Sequence, residues 1–355
     1  MELNELLARI GPENKAARTE ARRRWNSCAK PLGGLGLLET ALEDIAALTG
    51  GADVDISRRA VLVLCADNGV VAQGVTQSPV SVTAVVARHL AAGRTSVCRM
   101  ADVARCRVVP VDMGILDFPE TVGVLSRRVG NGTADITLGP AMTRAQAERA
   151  VLTGIELARE QKKRGMNLLA TGEMGIGNTT TSSAVACALL GRPAEELTGR
   201  GAGLSDDGLR RKIRAVQTAL AVNRPDPADA LDVLAKVGGF DIAGLCGVFL
   251  GGALYGVPVL MDGFISAVAA LCAARLCPRA EKAMLASHVS AEPGGGLVLE
   301  ALGKPPLITA GMHLGEGTGA VAAIPLLDMA RAVYREAYTF EEGGIEAYRP
   351  QGGAR

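Results

Sequence analysis

The sequence predicts an α/β fold, a parallel sheet flanked by helices. Three observations carry that prediction. Apolar, β-branched runs recur along the chain, each ending in an acidic residue near glycine. Segments of helical periodicity, with their own start and stop signals, usually follow these runs. Glycine is abundant, 44 of 355 residues, in a chain that is 48% hydrophobic. With no G-X-Y period, such glycines serve loops rather than collagen or a disordered linker. Strands alternating with helices imply right-handed crossovers within one sheet. Open sheets of this kind bind ligands at the carboxyl ends of their strands.

The elements follow in order. The first ~50 residues read as helices: KAARTEARRRW is a charged, solvated stretch, and Leu35, Leu38, Leu42 and Ile45 form an apolar stripe. Between them KPLGGLG is too glycine-rich to be helical. Four strands are expected: AVLVLCADNG, ending at Asp67; CRVVPVDMG, at Asp112; NLLATGEMGIGN, at Glu173; and VPVLMDG, at Asp262. Helices are expected over 81–92, 143–163, 178–190, 205–222 and 319–337. The second opens on a Thr143/Gln146 capping box and stops at Gly165, the third stops at Gly191, and the fourth starts at a Ser-Asp-Asp cluster. Residues 242–261 carry no charge and could be taken for a membrane hairpin. Five glycines between 244 and 256, Pro258 and the central Asp262 favour a buried helix followed by a central strand. SHVSAEPGG reads as a polar turn after a helix, and the stretch 341–355 as partly loose.

Composition excludes several classes. Lys+Arg is 38 against Asp+Glu 37, and aromatics are 3%, so neither bulk electrostatics nor a stacking platform points to nucleic acid. Eight cysteines without one CxxC, and only three histidines, lack metal-ligand spacing. No metal and no cofactor are expected, and the thiols read as buried and free in a reducing compartment. MELNELLARI has no basic region before an apolar one, so no secretory signal is read and a cytoplasmic location is expected.

The chemistry lies in the glycine loops. In TGEMGIGNTTT a strand runs into glycines, and Asn178 and Thr179 then open a helix, an arrangement suited to phosphate. It is neither a P-loop nor a dinucleotide fingerprint, and a plain capped turn also accounts for it. GRGAGLSDD leads into a second helix with Lys212 two turns in, either a phosphate partner or part of a solvated face beside Arg210 and Arg211. In GMHLGEGTG, Glu316 precedes an apolar helix start. It either caps that helix or, walled by Met312, Leu314 and a bound aromatic ring, acts as a general base. Together the loops suit transfer of a phosphorylated sugar.

KPLGGLGLLE, ADNGVVAQGVTQ, VDMG, TGEMGIGNTTT, GRGAGLSDDG, GGFDIAG, MDGF, SHVSAEPGG and LGEGTGA occur in this order over roughly 25–335. In these the chain resembles the nicotinate-nucleotide–dimethylbenzimidazole phosphoribosyltransferases of cobamide assembly. The resemblance implies a Rossmann-like core over 55–305, a small helical subdomain from 1–54 with 306–355, and a homodimer. It implies transfer of phosphoribose from nicotinate mononucleotide to an aromatic base, giving α-ribazole 5′-phosphate and nicotinate. Glu316 would be the general base and Glu173 would orient the aromatic base. Gly175, Gly177, Asn178, Thr179, Gly201, Gly203 and Lys212 would cradle phosphate and ribose, with Asp241 and Ser290 near ribose or nicotinate. Pro79, Ser81, Val82, Met312 and Leu314 would face the aromatic base. Asn68 stands where many relatives have His, and residues 79–88 lack an expected Gln. This leaves dimethylbenzimidazole, another benzimidazole, adenine or a phenol open as the base. A nucleotide-binding relative without transfer is the reading from another class.

Overall fold

The computed structural model describes residues 2–349. Six strands form one sheet: β1 (Arg59–Ala66), β2 (Arg107–Gly114), β3 (Leu125–Ser126), β4 (Leu168–Met174), β5 (Val259–Met261) and β6 (Met284–Ala286). Every pairing is parallel, in the order β3-β2-β1-β4-β5-β6. This is the doubly wound Rossmann order, with its reversal between β1 and β4. β1 is buried along its whole length, as its near-continuous apolar run requires of a strand covered on both faces.

Helices α1 (Leu3–Ala8), α2 (Lys15–Ser27) and α3 (Leu37–Thr49) precede the sheet, and α4 (Val82–Ala91) and α5 (Ser96–Val103) connect β1 to β2. Helix α6 (Arg144–Lys163) leads into β4. Between β4 and β5 come α7 (Asn178–Leu190), α8 (Ala194–Leu197), α9 (Asp206–Asn223), α10 (Ala230–Val237) and α11 (Phe240–Tyr255). Helix α12 (Phe264–Leu276) joins β5 to β6, and α13 (Gly294–Ala301) and α14 (Thr318–Glu336) follow. The expected helix boundaries hold to within one residue, and the Thr143/Gln146 capping box is formed.

The two-residue period of β1 divides the core. Ala60, Leu62 and Leu64 pack with α6, α11 and α12 on one face. Val61, Val63 and Cys65 pack with residues of α2, α3, α5 and α14 on the other. The uncharged segment is therefore a buried helix, α11, followed by the interior strand β5. Among the described residues no helix is long and apolar enough to cross a membrane. α11 lies directly on α6, where Gly154 and Gly247 leave no room for side chains. All eight cysteines are buried and free.

Three features differ from the sequence reading. The KAARTEARRRW helix is not wholly solvated, because Ala17, Ala21 and Trp25 face inward, Trp25 meeting the Tyr334 ring with centroids 4.9 Å apart. Strands β3 and β6 were not expected, and SHVSAEPGG follows β6 rather than a helix. Of the stretch expected to be partly loose, residues 341–349 are exposed, as expected, but anchored where Tyr348 meets Phe340 edge-on, while 350–355 lie outside the described residues.

Candidate active site

The carboxyl ends of β4 and β5 open on a cavity of about 330 Å³, beside the reversal in strand order where such sheets bind ligands. Glu173, near the end of β4, is buried at its lining. Asn178 Nδ2 donates to Glu173 Oε2 and, at 3.0 Å, to Asp241 Oδ2. Burial, with the Asp241 carboxylate close by, pushes the Glu173 carboxyl up to about 8, and burial brings Asp241 to about 6. Glu173 is therefore a neutral acid at pH 7, able to donate a hydrogen bond.

Beside it lie Gly175, Gly177, Asn178 and Thr179 at the start of α7, Gly201 and Arg200 from the following loop, and Lys212 from α9. No side chain caps α7, so its N-terminus faces the cavity as an anion site. The Lys212 side chain is fully buried and donates to Thr179 Oγ1 at 2.8 Å and to the Gly199 carbonyl at 2.9 Å. Burial lowers its ammonium to about 8, with the charge of Glu292 working the other way.

Glu316 stands just before α14 with φ of 61°, a left-handed conformation uncommon outside glycine. Its side chain does not cap α14, whose N-cap is Gly317. Instead Oε2 accepts from the Val97 N–H in the first turn of α5, at 3.2 Å. The loop rests directly on the sheet, since a side chain at Gly172 of β4 would overlap the Glu316 carbonyl. Asp262 fastens it by accepting from the N–H groups of Gly317 (3.1 Å), Gly319 (2.7 Å) and Ala320 (3.2 Å). Burial raises the Asp262 carboxyl, opposed by His288, whose ring burial in turn makes harder to protonate. That ring lies against Gly319, where any side chain would collide with it.

Apolar side chains form part of the remaining wall: Val82 and Val86 on successive turns of α4, Met174, Phe264, Ile265 and Leu314, with polar Thr76, Gln77, Ser266 and His313 among them. A neutral acid, a buried cation with an anion-binding helix end, a held carboxylate and an apolar wall thus share one cavity.

The phosphoribosyltransferase family model matches residues 10–345. A nicotinate-nucleotide–dimethylbenzimidazole phosphoribosyltransferase of Acetivibrio thermocellus is 47% identical over 349 residues, covering 98% of this chain and 99% of that protein. One from a Roseiflexus species is 46% identical, covering 97% and 98%. The crystal structure of CobT from Thermus thermophilus superposes with a TM-score of 0.89 at 42% identity, covering 94% of this chain and 100% of that one. The chain belongs to the nicotinate-nucleotide–dimethylbenzimidazole phosphoribosyltransferase family.

Of the residues that resemblance to this phosphoribosyltransferase family singles out, Glu316, Glu173, Gly175, Gly177, Asn178, Thr179, Gly201, Lys212, Ser290, Val82 and Leu314 line the cavity. Five do not. Asp241 is fully buried behind Asn178 and holds that side chain rather than the wall. Gly203 is set back, its carbonyl accepting from Gln77 Nε2. Pro79 and Ser81 are exposed before α4, because helical spacing selects Val82 and Val86 instead. Met312 is half-buried, with its carbonyl bound to the Ala291 N–H at 3.0 Å. Sequence reasoning missed Asp262 as an anchor, although it ended a predicted strand. It also missed Val86, which the four-residue step from Val82 could have found.

Proposed function

We propose that this enzyme transfers the 5-phosphoribosyl group of nicotinate mononucleotide to an aromatic base, as the names of its relatives state for them, in cobamide biosynthesis. The observation that carries the reading is that Lys212, the α7 N-terminus and the Glu316 carboxylate line a single cavity. The phosphate binds backbone N–H groups and Lys212. An azole nitrogen attacks C1′ of the ribose from the face opposite nicotinate. The C1′–N bond breaks, its electron pair neutralises the pyridinium, and nicotinate leaves. Glu316 takes the proton from the other ring nitrogen, and Glu173, neutral below about 8, borders the ring as an uncharged wall that orients it by contact. The product is α-ribazole 5′-phosphate with inverted configuration. Pyridinium departs readily, so the chemistry calls for one base and no cofactor.

The reading includes a cytoplasmic homodimer acting on small molecules. It also includes a nucleotide-binding core over 55–305, with a helical part from 1–54 and 306–355. The base is a benzimidazole, and the apolar wall of Val82, Val86, Ile265 and Leu314 also admits a phenol. Mass spectrometry of reactions containing nicotinate mononucleotide and competing dimethylbenzimidazole, adenine and phenol tests both points. An α-ribazole-type phosphate supports transfer, and nucleotide binding without any product overturns it. Strict preference for adenine removes the base assignment.

A further inference from the structure

One carboxylate oxygen of half-buried Glu292, Oε2, is an acceptor without a donor. It stands two residues after Ser290, whose Oγ accepts from the Glu292 N–H at 3.2 Å, and it lines the same cavity. Its Oε2 is buried with no hydrogen-bond partner, pressed against Gly199, where a side chain would collide with it. The carbonyl of Gly199 accepts from Lys212 Nζ at 2.9 Å, so carboxylate and ammonium both lie against this one residue, near enough for their charges to interact. A carboxylate lodged beside a phosphate cradle repels phosphate, and leaving such an acceptor unpaired is costly.

The chemistry of the substrates narrows what satisfies it. This step rests on the function proposed above. In nicotinate mononucleotide the phosphate and the nicotinate carboxylate are anions that Glu292 would repel, and the pyridinium ring offers no N–H. The aromatic base has a proton to give, but that proton goes to Glu316. The ribose hydroxyls are the neutral donors left, and an acidic side chain is well matched to them. We propose that Glu292 is a specificity-determining residue that accepts the ribose hydroxyls of the nucleotide and makes the enzyme select ribose over deoxyribose.

The test is calorimetric binding of nicotinate mononucleotide and its 2′-deoxy and 3′-deoxy analogues, with no aromatic base present. Binding is the better readout because removing the 2′-hydroxyl also changes the intrinsic reactivity of C1′. The wild-type enzyme is expected to bind the ribonucleotide at least about tenfold more tightly than one or both analogues. In Glu292→Ala that ratio falls towards one, and Glu292→Gln, which keeps one carbonyl acceptor, lies between. Any effect of Glu292 on the charge of Lys212 weakens all three nucleotides alike, so the ratio isolates the hydroxyl contact. Equal wild-type binding of all three nucleotides overturns the inference without any variant having to fold. So does wild-type discrimination retained in Glu292→Ala. Because no turnover is needed, failure of the transfer reaction itself is read separately.

Discussion

The Glu316 carboxylate is held by the backbone N–H of Val97, 3.2 Å away and 219 positions earlier in the chain. The donor belongs to the first turn of α5, whose N-terminal N–H groups have no partner inside their own helix. Glu316 is thereby kept off its own helix and at the cavity lining. Glu316→Gln keeps the shape and the acceptor oxygen but removes the base. Nucleotide binding is expected to stay near wild type while transfer slows by about 10²-fold or more. Unchanged turnover would take Glu316 out of the mechanism.

Lys212 carries its charge below about 8. Nucleotide affinity is therefore expected to fall as pH rises through that value, by roughly tenfold between about pH 7 and 9.5. In Lys212→Met it should be weak throughout and with a smaller inflection, the remainder coming from Glu173, which ionises near the same value in the same cavity. Titration calorimetry across this range checks it, and a flat wild-type profile would contradict the role.

Glu173 has the opposite linkage to an ordinary salt-bridged carboxylate. Its folded-state value, about 8, lies above the 4.5 of a solvated glutamate, so the folded protein binds more protons between these limits. The contribution to stability is complete below 4.5 and is lost as pH rises towards 8. Glu173→Gln should lose less Tm than the wild type between about pH 5 and 8. Parallel profiles would mean that Glu173 ionises normally.

Gly319 has the His288 ring where a side chain would begin. Gly319→Ala must move either that ring or the start of α14, at a cost of about 1–3 kcal/mol. Tm and transfer should fall together, because Asp262 fastens the same turn that carries Glu316. A variant with wild-type Tm and rate would show that the loop yields freely.

The sheet was legible where strands are long and buried. AVLVLC and NLLATG announce themselves because both faces of the strand are covered. β3 and β6 have two and three residues, too short for any period to show, and β5, no longer than β6, was legible only from the apolar run VPVLM that ends at Asp262. The glycine-lined start of α7 was legible because its chemistry depends on the backbone, which glycine exposes. That Asp241 supports Asn178 was not legible, because a side chain facing a ligand and one supporting its neighbour look alike in one dimension. The Val97 contact had no signal, since every residue except proline carries an N–H.

Glu316 reaches its place only when α14 docks. That helix packs on β4 and β5 and against α3 and α5, while Tyr334 covers Trp25 and Asp328 pairs with Arg59 at 2.8 Å. The helix that sets Glu316 is thus also one of those that cover the Val61, Val63 and Cys65 face of the sheet. A chain cut before α14 is therefore expected to lose that cover along with Glu316, so that stability, nucleotide binding and transfer fail together.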